Sequence, residues 1–506
     1  MDLTKKLTDA ILLYIFSYLM ELPSIFPTSA GDTGLTLLVV CRRWRYIILH
    51  SATKWTNLVT APTVSSNRFN ANVEFGRCWL NVDIQRYSGH WLNIFLLHVP
   101  KAPPPRQNVS PGNASSSNEL NILKNIVFAA AKRVKCLSLP LCSNRAAESF
   151  LTAPAGQFYF LESVEICFLN CGPSEIAEAE ASVIKFSKPI TVFQNLPFLR
   201  RTSIIIRNGL NPLMLLLPWY QLTTIHMGFT TIPPKVFITI LSKSSPSLAT
   251  GFFTIKFSPR EQSLSSYTNQ NRLPQIFSSA LQHLHLRLIN PSFERNIFMP
   301  IRLPALISFQ VDVYDSNAGW VMDIYHPLLC DSSNTLETVA ILNLEGFEGA
   351  HDLAVHLDGP RPDNPQIPQD LETFFSILRK VRVLRLPLGL YIPKATMELI
   401  SLGMLLPLLE TLEVASSTGV DVLAMVKDRN EVASFLSGLV GSSSAAPSIY
   451  SNTKCHRDAP PHFSEVTLWT PTPQRPRVES CLAFLQSLSS LQKTTIKIFD
   501  MDQSLF

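Results

Sequence analysis

Leu281-Gln282-His283-Leu284-His285-Leu286 is one copy of the pattern that decides how most of this chain is read: Leu-x-x-apolar-x-apolar. Its alternating second half has the period of a strand with one buried face. The leading leucine adds an apolar anchor just ahead of that strand. The pattern recurs at Val134–Leu139, Leu161–Ile166, Leu222–Met227, Leu336–Ile341, Val381–Leu386 and Leu409–Val414. Weaker copies begin at Leu199, Leu248, Leu306, Phe463 and Leu491. Three copies share a Leu-Pro-x-Leu approach, at Leu196–Leu199, Leu303–Leu306 and Leu406–Leu409.

Most successive copies start 23 to 30 residues apart, near the period of about 20–29 residues of leucine-rich repeats. The longer gaps hold polar insertions, Asp358–Asp370 and Gly438–Pro461. Helix candidates lie between strands: Asp370 capping Leu371–Lys380, Pro393 opening 393–405, Asp421 capping Val422–Leu439, and Val478–Leu488. The expected architecture is an α/β repeat in which each strand-plus-helix unit buries its leucines only against its neighbours. A conventional parallel α/β domain is the structural alternative.

Composition sets the frame. At one domain per roughly 100–200 residues, 506 residues make two to four domains or one long array. Apolar residues are 46% and charged residues 16%, against about 25% charged in a typical domain, so the chain can bury a large core. Pro 37 against Gly 19 fits many short elements joined by stiff turns. Net charge is +5 from 43 basic and 38 acidic residues, too balanced for a nucleic-acid footprint. Nine cysteines without a C-x-x-C spacing read as reduced thiols of an intracellular protein. No run of 18 apolar residues exists, so no transmembrane helix is expected. Lys5-Lys6, the apolar run Ala10–Leu19 and Thr28-Ser29-Ala30 imitate a signal peptide, but Asp9 and Glu21 flank the run. A secreted repeat protein therefore stays as an alternative, in which the sequons at Asn108 and Asn113 would be glycosylated.

Ahead of the array, Trp79–Ile84 and Leu92–Leu97 alternate like strands. Residues 100–118 are rich in Pro, Ser and Asn and read as a disordered surface loop. Leu120, Leu123 and Val127 restore helical spacing. At the N-terminus, Leu7, Ile11, Ile15 and Leu19 fall on one face of an amphipathic helix with Thr8 or Asp9 as its cap. A second helix is expected over Leu35–Ile48, with Val40, Trp44 and Ile48 on one face.

Ile15-Phe16-Ser17-Tyr18-Leu19, Val40-Cys41-Arg42-Arg43-Trp44-Arg45 and the later Trp55 resemble an F-box of the fungal style. Thr8 stands where that family usually has proline, and the connection 20–34 is longer than its norm. The resemblance implies three parts. An all-helical F-box would occupy 1–60, a bridging segment 61–133, and an irregular leucine-rich-repeat-like solenoid, a curved parallel sheet with outer helices, 134–506. It implies a substrate-recognition subunit of an SCF-type cullin–RING E3 ubiquitin ligase, cytoplasmic and/or nuclear, with no active site, cofactor or metal of its own. Leu7, Ile11, Ile15, Phe16, Leu19, Val40, Cys41, Trp44, Ile48 and Trp55 would face the Skp-family adaptor. A segment of about 50 residues buries too little surface to be comfortable alone, which agrees with a partner-bound role.

If the leucines face the core, the residues between them face outward. His283, His285, Arg287, Gln310, Asp312, Arg385, Glu413 and Trp469 are then candidates for holding an unidentified protein target. His283 and His285 share a face but lack a third ligand, so no metal is expected. No nucleophile-elbow, zinc-protease, P-loop or dinucleotide-binding motif occurs. An adaptor-bound scaffold that does not direct ubiquitination, and an enzyme on an irregular α/β domain, remain the other readings.

Overall fold

The computed structural model describes residues 7–19, 24–26, 40–49, 57–60, 92–96, 128, 131–141, 153–168, 189–206, 211–257, 275–289, 298–314, 325–343, 366–387, 390, 392–415, 419–442, 460–470, 475–486 and 494–500. They divide into two compact units, Met1–Thr231 and Ile232–Phe506.

The first unit holds helices α1 (Asp9–Leu19) and α2 (Arg42–Leu49) and strands β1 (Ser24–Phe26), β2 (Asn57–Thr60), β3 (Leu92–Leu96), β4 (Val134–Leu141), β5 (Ser163–Phe168), β6 (Arg201–Ile206) and β7 (Thr224–Ile232). Its strands are parallel and ordered as in the chain, each pairing with the next. The second unit repeats this plan with β8 (Thr250–Lys256), β10 (His283–Ile289), β12 (Ser308–Tyr314), β13 (Thr338–Asn343), β14 (Val383–Arg385), β15 (Thr411–Ala415), β16 (Glu465–Thr470) and β17 (Thr495–Asp500). The short strands β9 (Ile276–Phe277) and β11 (Ile301–Arg302) form a separate parallel pair. Its helices are α3 (Pro234–Ser244), α4 (His326–Cys330), α5 (Gln366–Ile377), α6 (Lys394–Ser401), α7 (Val420–Ser442) and α8 (Arg475–Gln486).

The recurring pattern explains the strands. Each of the twelve copies has its strand. In ten, from Leu161 to Phe463, the strand opens two residues after the anchor, and all ten anchors are fully buried. The backbone between anchor and strand forms a relay. Ile307 N–H and Ser308 N–H both donate to Gln282 O (2.8 and 2.9 Å), and Glu410 N–H and Thr411 N–H both donate to Arg382 O (2.9 and 2.8 Å). This shared acceptor locks each strand in register with its predecessor before the ladder begins. Burial alternates cleanly on β10, where Leu284, Leu286 and Leu288 are buried and the residues between them are not, whereas on β12 Val311, Asp312 and Val313 are buried in succession. The helices cover the apolar side: Phe237 of α3 meets Phe253 of β8 edge-on, centroids 5.2 Å apart.

Several expectations are corrected. Residues 1–60 are not all-helical, because β1 and β2 pair with each other and β2 pairs with β3. Their three or four residues are too few to show a period, so only the neighbouring strand reveals them. Strand pairing also runs across positions 60 and 133. α5 begins at Gln366, inside the stretch read as an insertion. Pro368 is tolerated there because a first-turn residue needs no intrahelical N–H partner. Asp421 lies inside the first turn of α7 rather than capping it, and Gly419, at φ 63°, accepts the Leu423 N–H (3.2 Å). β17 opens at Thr495, two residues later than the Leu491 copy implies, and the buried residue just before it is polar: Thr494 donates to Phe463 O (2.8 Å) and accepts from Asn430 (2.9 Å). Residues 35–39, Trp55, the 79–84 strand, the 100–118 loop, both sequons and residues 120–127, 129 and 130 lie outside the described residues.

Candidate interaction surfaces

Two surfaces carry the candidate residues. The first is the α1–α2 pair. Thr8 caps α1, its Oγ1 accepting the Ile11 N–H (3.3 Å). Leu12, Phe16 and Ile47 form a closed core between the helices, flanked by Leu7 and Trp44. The Phe16 and Trp44 rings meet edge-on at 4.8 Å. Arg43 of α2 donates to Leu7 O (2.6 Å) and binds Asp9 (2.6 Å). Ile11, Ile15 and Val40 stay outside this core, 46%, 41% and 52% exposed, with Tyr14 beside them at 62%. Cys41 is also exposed.

Phe16, and more partially Leu7 and Trp44, therefore hold the helices together, whereas Ile11, Ile15, Val40 and Cys41 are available to a partner. The side chains of Leu19 and Ile48 lie outside the described residues. The sequence pointed to one apolar face on α1, through Leu7, Ile11, Ile15 and Leu19, but packing turns Leu12 and Phe16 inward and leaves Ile11 and Ile15 exposed. Tyr14 was missed, although its position three residues after Ile11 places it at the edge of the same face.

The second surface is the outward face of the second unit's sheet. Strand register places Phe252, His285, Gln310, Ala340, Arg385, Glu413, Thr467 and Lys497 in one row across eight strands. At about 4.8 Å per strand the row spans roughly 34 Å. The sequence-derived residues gather on it as two networks. In one, buried Asp312 is the hub: His285 Nε2 lies 2.6 Å from Oδ2, Gln310 donates to Oδ1 (3.0 Å) and Arg287 Nε lies 3.5 Å from Oδ2. Phe252 stacks flat on His285 with centroids 4.0 Å apart. The Arg287 guanidinium sits over Phe252 and Tyr314, 5.0 and 6.0 Å from their ring centres. Burial opposes ionisation of Asp312, but the hydrogen bonds from His285 and Gln310 and the charges of His285 and Arg287 outweigh it, so its carboxyl titrates below the ordinary range.

In the other network Arg385 Nε lies 3.3 Å from Glu413 Oε2, Trp469 Nε1 donates to Glu413 Oε1 (3.1 Å), and Phe499 stacks on Trp469 at 4.9 Å. His283 joins neither and is exposed. Phe252, Tyr314 and Phe499 were missed. All three sit at outward positions of the same alternation, which was the available signal.

The face is an ordered set of cations, amides and aromatic rings. His285 is hydrogen-bonded to the Asp312 carboxylate, and among the described residues no Ser, Thr or Cys side chain is bonded to it. Among the described residues no three His, Cys, Asp or Glu side chains form a metal-binding group, and no helix is long and apolar enough to cross a membrane. Cys41, Cys136, Cys330 and Cys481 are free thiols. Neither a scan of the chain against protein-family models nor a search of curated proteins finds a match.

Proposed function

We propose that this chain is a substrate-recognition subunit of an SCF-type cullin–RING ubiquitin ligase, acting in the cytoplasm and/or nucleus. Its α1–α2 pair would dock on a Skp-family adaptor, and the polar-aromatic face of the second unit would hold a protein target. The observation that carries the reading is the group of exposed apolar side chains, Ile11, Tyr14, Ile15 and Val40, on a helix pair whose own core is already closed by Leu12, Phe16 and Ile47. Large apolar side chains left exposed beside a closed core are a mark of a protein interface. The F-box-like residues at 15–19 and 40–45 name the partner class. In this reading the protein needs no reacting group, because holding a target beside a charged conjugating enzyme raises effective concentration without new chemistry.

Co-expression with a Skp-family adaptor tests the proposal. The wild type is expected to co-purify stoichiometrically. Ile15→Asp, an exposed change, should abolish co-purification, and His285→Ala should leave it intact. A folded wild-type chain that does not bind the adaptor overturns the reading. Recovery of the adaptor without a cullin would instead favour an adaptor-bound scaffold that does not direct ubiquitination.

A further inference from the structure

We infer a separate peptide-binding site in the first unit, at the start of β5, β6 and β7, that recognises an acidic side chain lying next to an aromatic one. It is independent of the adaptor reading. A cavity of about 350 Å³ opens there, lined by Glu162, Phe198, Arg200, Arg201 and Thr223. The repeat itself builds it. Glu162, Arg200 and Thr223 each follow a buried anchor, Leu161, Leu199 and Leu222. The backbone relay binds them side by side, Arg200 N–H to Glu162 O (2.9 Å) and Thr223 N–H to Arg200 O (2.8 Å).

The charges do not cancel. Glu162, the one acid in the lining, is paired with Lys135 at 2.8 Å. Glu165, further along β5, accepts the Ser138 hydroxyl at 2.8 Å. Arg200 uses Nη1 on the carbonyls of Pro197 and Leu199 (3.0 and 3.2 Å), which fixes its stem. Among the described residues the Arg201 side chain is exposed and makes no hydrogen bond or ion pair, its backbone N–H going to Glu162 O (3.1 Å). Two guanidinium groups thus face one cavity with no carboxylate assigned to them, and a guanidinium fork matches a carboxylate in geometry as well as charge.

The adjoining wall is aromatic. Phe198 stacks with Phe160 at 5.7 Å, and Tyr159 meets both rings edge-on at 5.6 and 5.0 Å. Tyr159 and Phe198 are about half exposed, so the cluster offers ring faces to a further aromatic group. Cations beside such a platform suit Asp or Glu neighbouring Phe, Tyr or Trp. A phosphate and a base would present similar chemistry. Peptide is favoured because net charge is only +5 over 506 residues, 43 basic against 38 acidic, where nucleic-acid binding calls for a marked basic excess.

Fluorescence polarisation on the full chain tests this. The probes are a labelled peptide of alternating Glu and Phe, its counterpart with Gln for Glu, and a labelled oligothymidylate. The Glu peptide is expected to bind at least about tenfold more tightly than the Gln peptide, and Arg201→Glu to remove that preference. Phe198→Ala should weaken both peptides. Because Arg201 is exposed, its variant is expected to melt like the wild type and to retain adaptor binding. Equal affinity for the two peptides, or an Arg201→Glu variant that keeps the preference, overturns the inference. Tighter binding of the oligothymidylate also overturns it, in favour of a nucleic-acid surface.

Discussion

Arg429 Nη2 donates to the carbonyl oxygen of Leu406 at 3.1 Å, from a side chain with no exposure to solvent. The same guanidinium reaches Ile400 O (2.6 Å), Pro407 O (3.0 Å), Leu409 O (3.3 Å) and Pro461 O (3.4 Å), and lies over the Phe463 ring at 5.2 Å. One cation on α7 thereby ties together the end of α6, the turn before β15 and the approach to β16. Leu406 is in the left-handed region at φ 50°, a conformation that costs a non-glycine residue about 1–2 kcal/mol, and Arg429 helps hold it. Burial pulls the Arg429 pKa down to about 10, so the group stays charged at neutral pH.

Arg429→Met is therefore expected to destabilise the second unit by about 3 kcal/mol or more, since each stranded buried carbonyl costs roughly 1–3 kcal/mol. Arg429→Lys should recover little, because one ammonium cannot span carbonyls on several segments. Urea denaturation followed by circular dichroism at neutral pH measures both.

Asp312 predicts a pH dependence. Its folded pKa lies below the ordinary 3.8, so the stabilisation it supplies is present above that value and is lost as pH falls through the folded pKa. Asp312→Asn should be less stable than the wild type at pH 7, and the gap should close as pH drops below about 4. Denaturant midpoints measured from pH 7 to pH 3 give the comparison.

The two faces of α1 should respond oppositely. Phe16→Ala is expected to cost about 3–5 kcal/mol of local stability by opening the Leu12–Ile47–Trp44 cluster. Ile15→Asp should change stability by less than about 0.5 kcal/mol. Amide hydrogen exchange across α1 and α2 distinguishes the two variants.

On β10 the same contrast tests the alternation. Leu284→Ala removes a buried strand side chain and should cost about 2–5 kcal/mol. His283→Ala, one residue away and exposed, should be nearly neutral. Thermal melts of both variants would show a large shift for the first alone.

The strand positions could be read in advance because anchor and alternation are local. Leu281 and Leu284 are three residues apart, and their shared burial follows from one backbone conformation. β1 and β2 could not be, because such short segments take strand geometry only from the strands they join. The face residues could be named as outward, but not assembled. His285 and Asp312 are 27 positions apart, and Glu413 and Trp469 are 56 apart. Their meeting depends on how much chain each connection stores.

The sequence by itself determined the period, the buried anchors and which strand positions point away from the core, because these depend only on residue type and on the two-residue pleat. Tertiary structure alone decided three things. It decided which face of α1 closes on α2, and which outward residues share a row. It also decided that Arg429 is answered by carbonyl oxygens rather than by an acid. Each of these depends on the register between segments distant in the chain, and that register is set by the backbone relay of one strand onto the next.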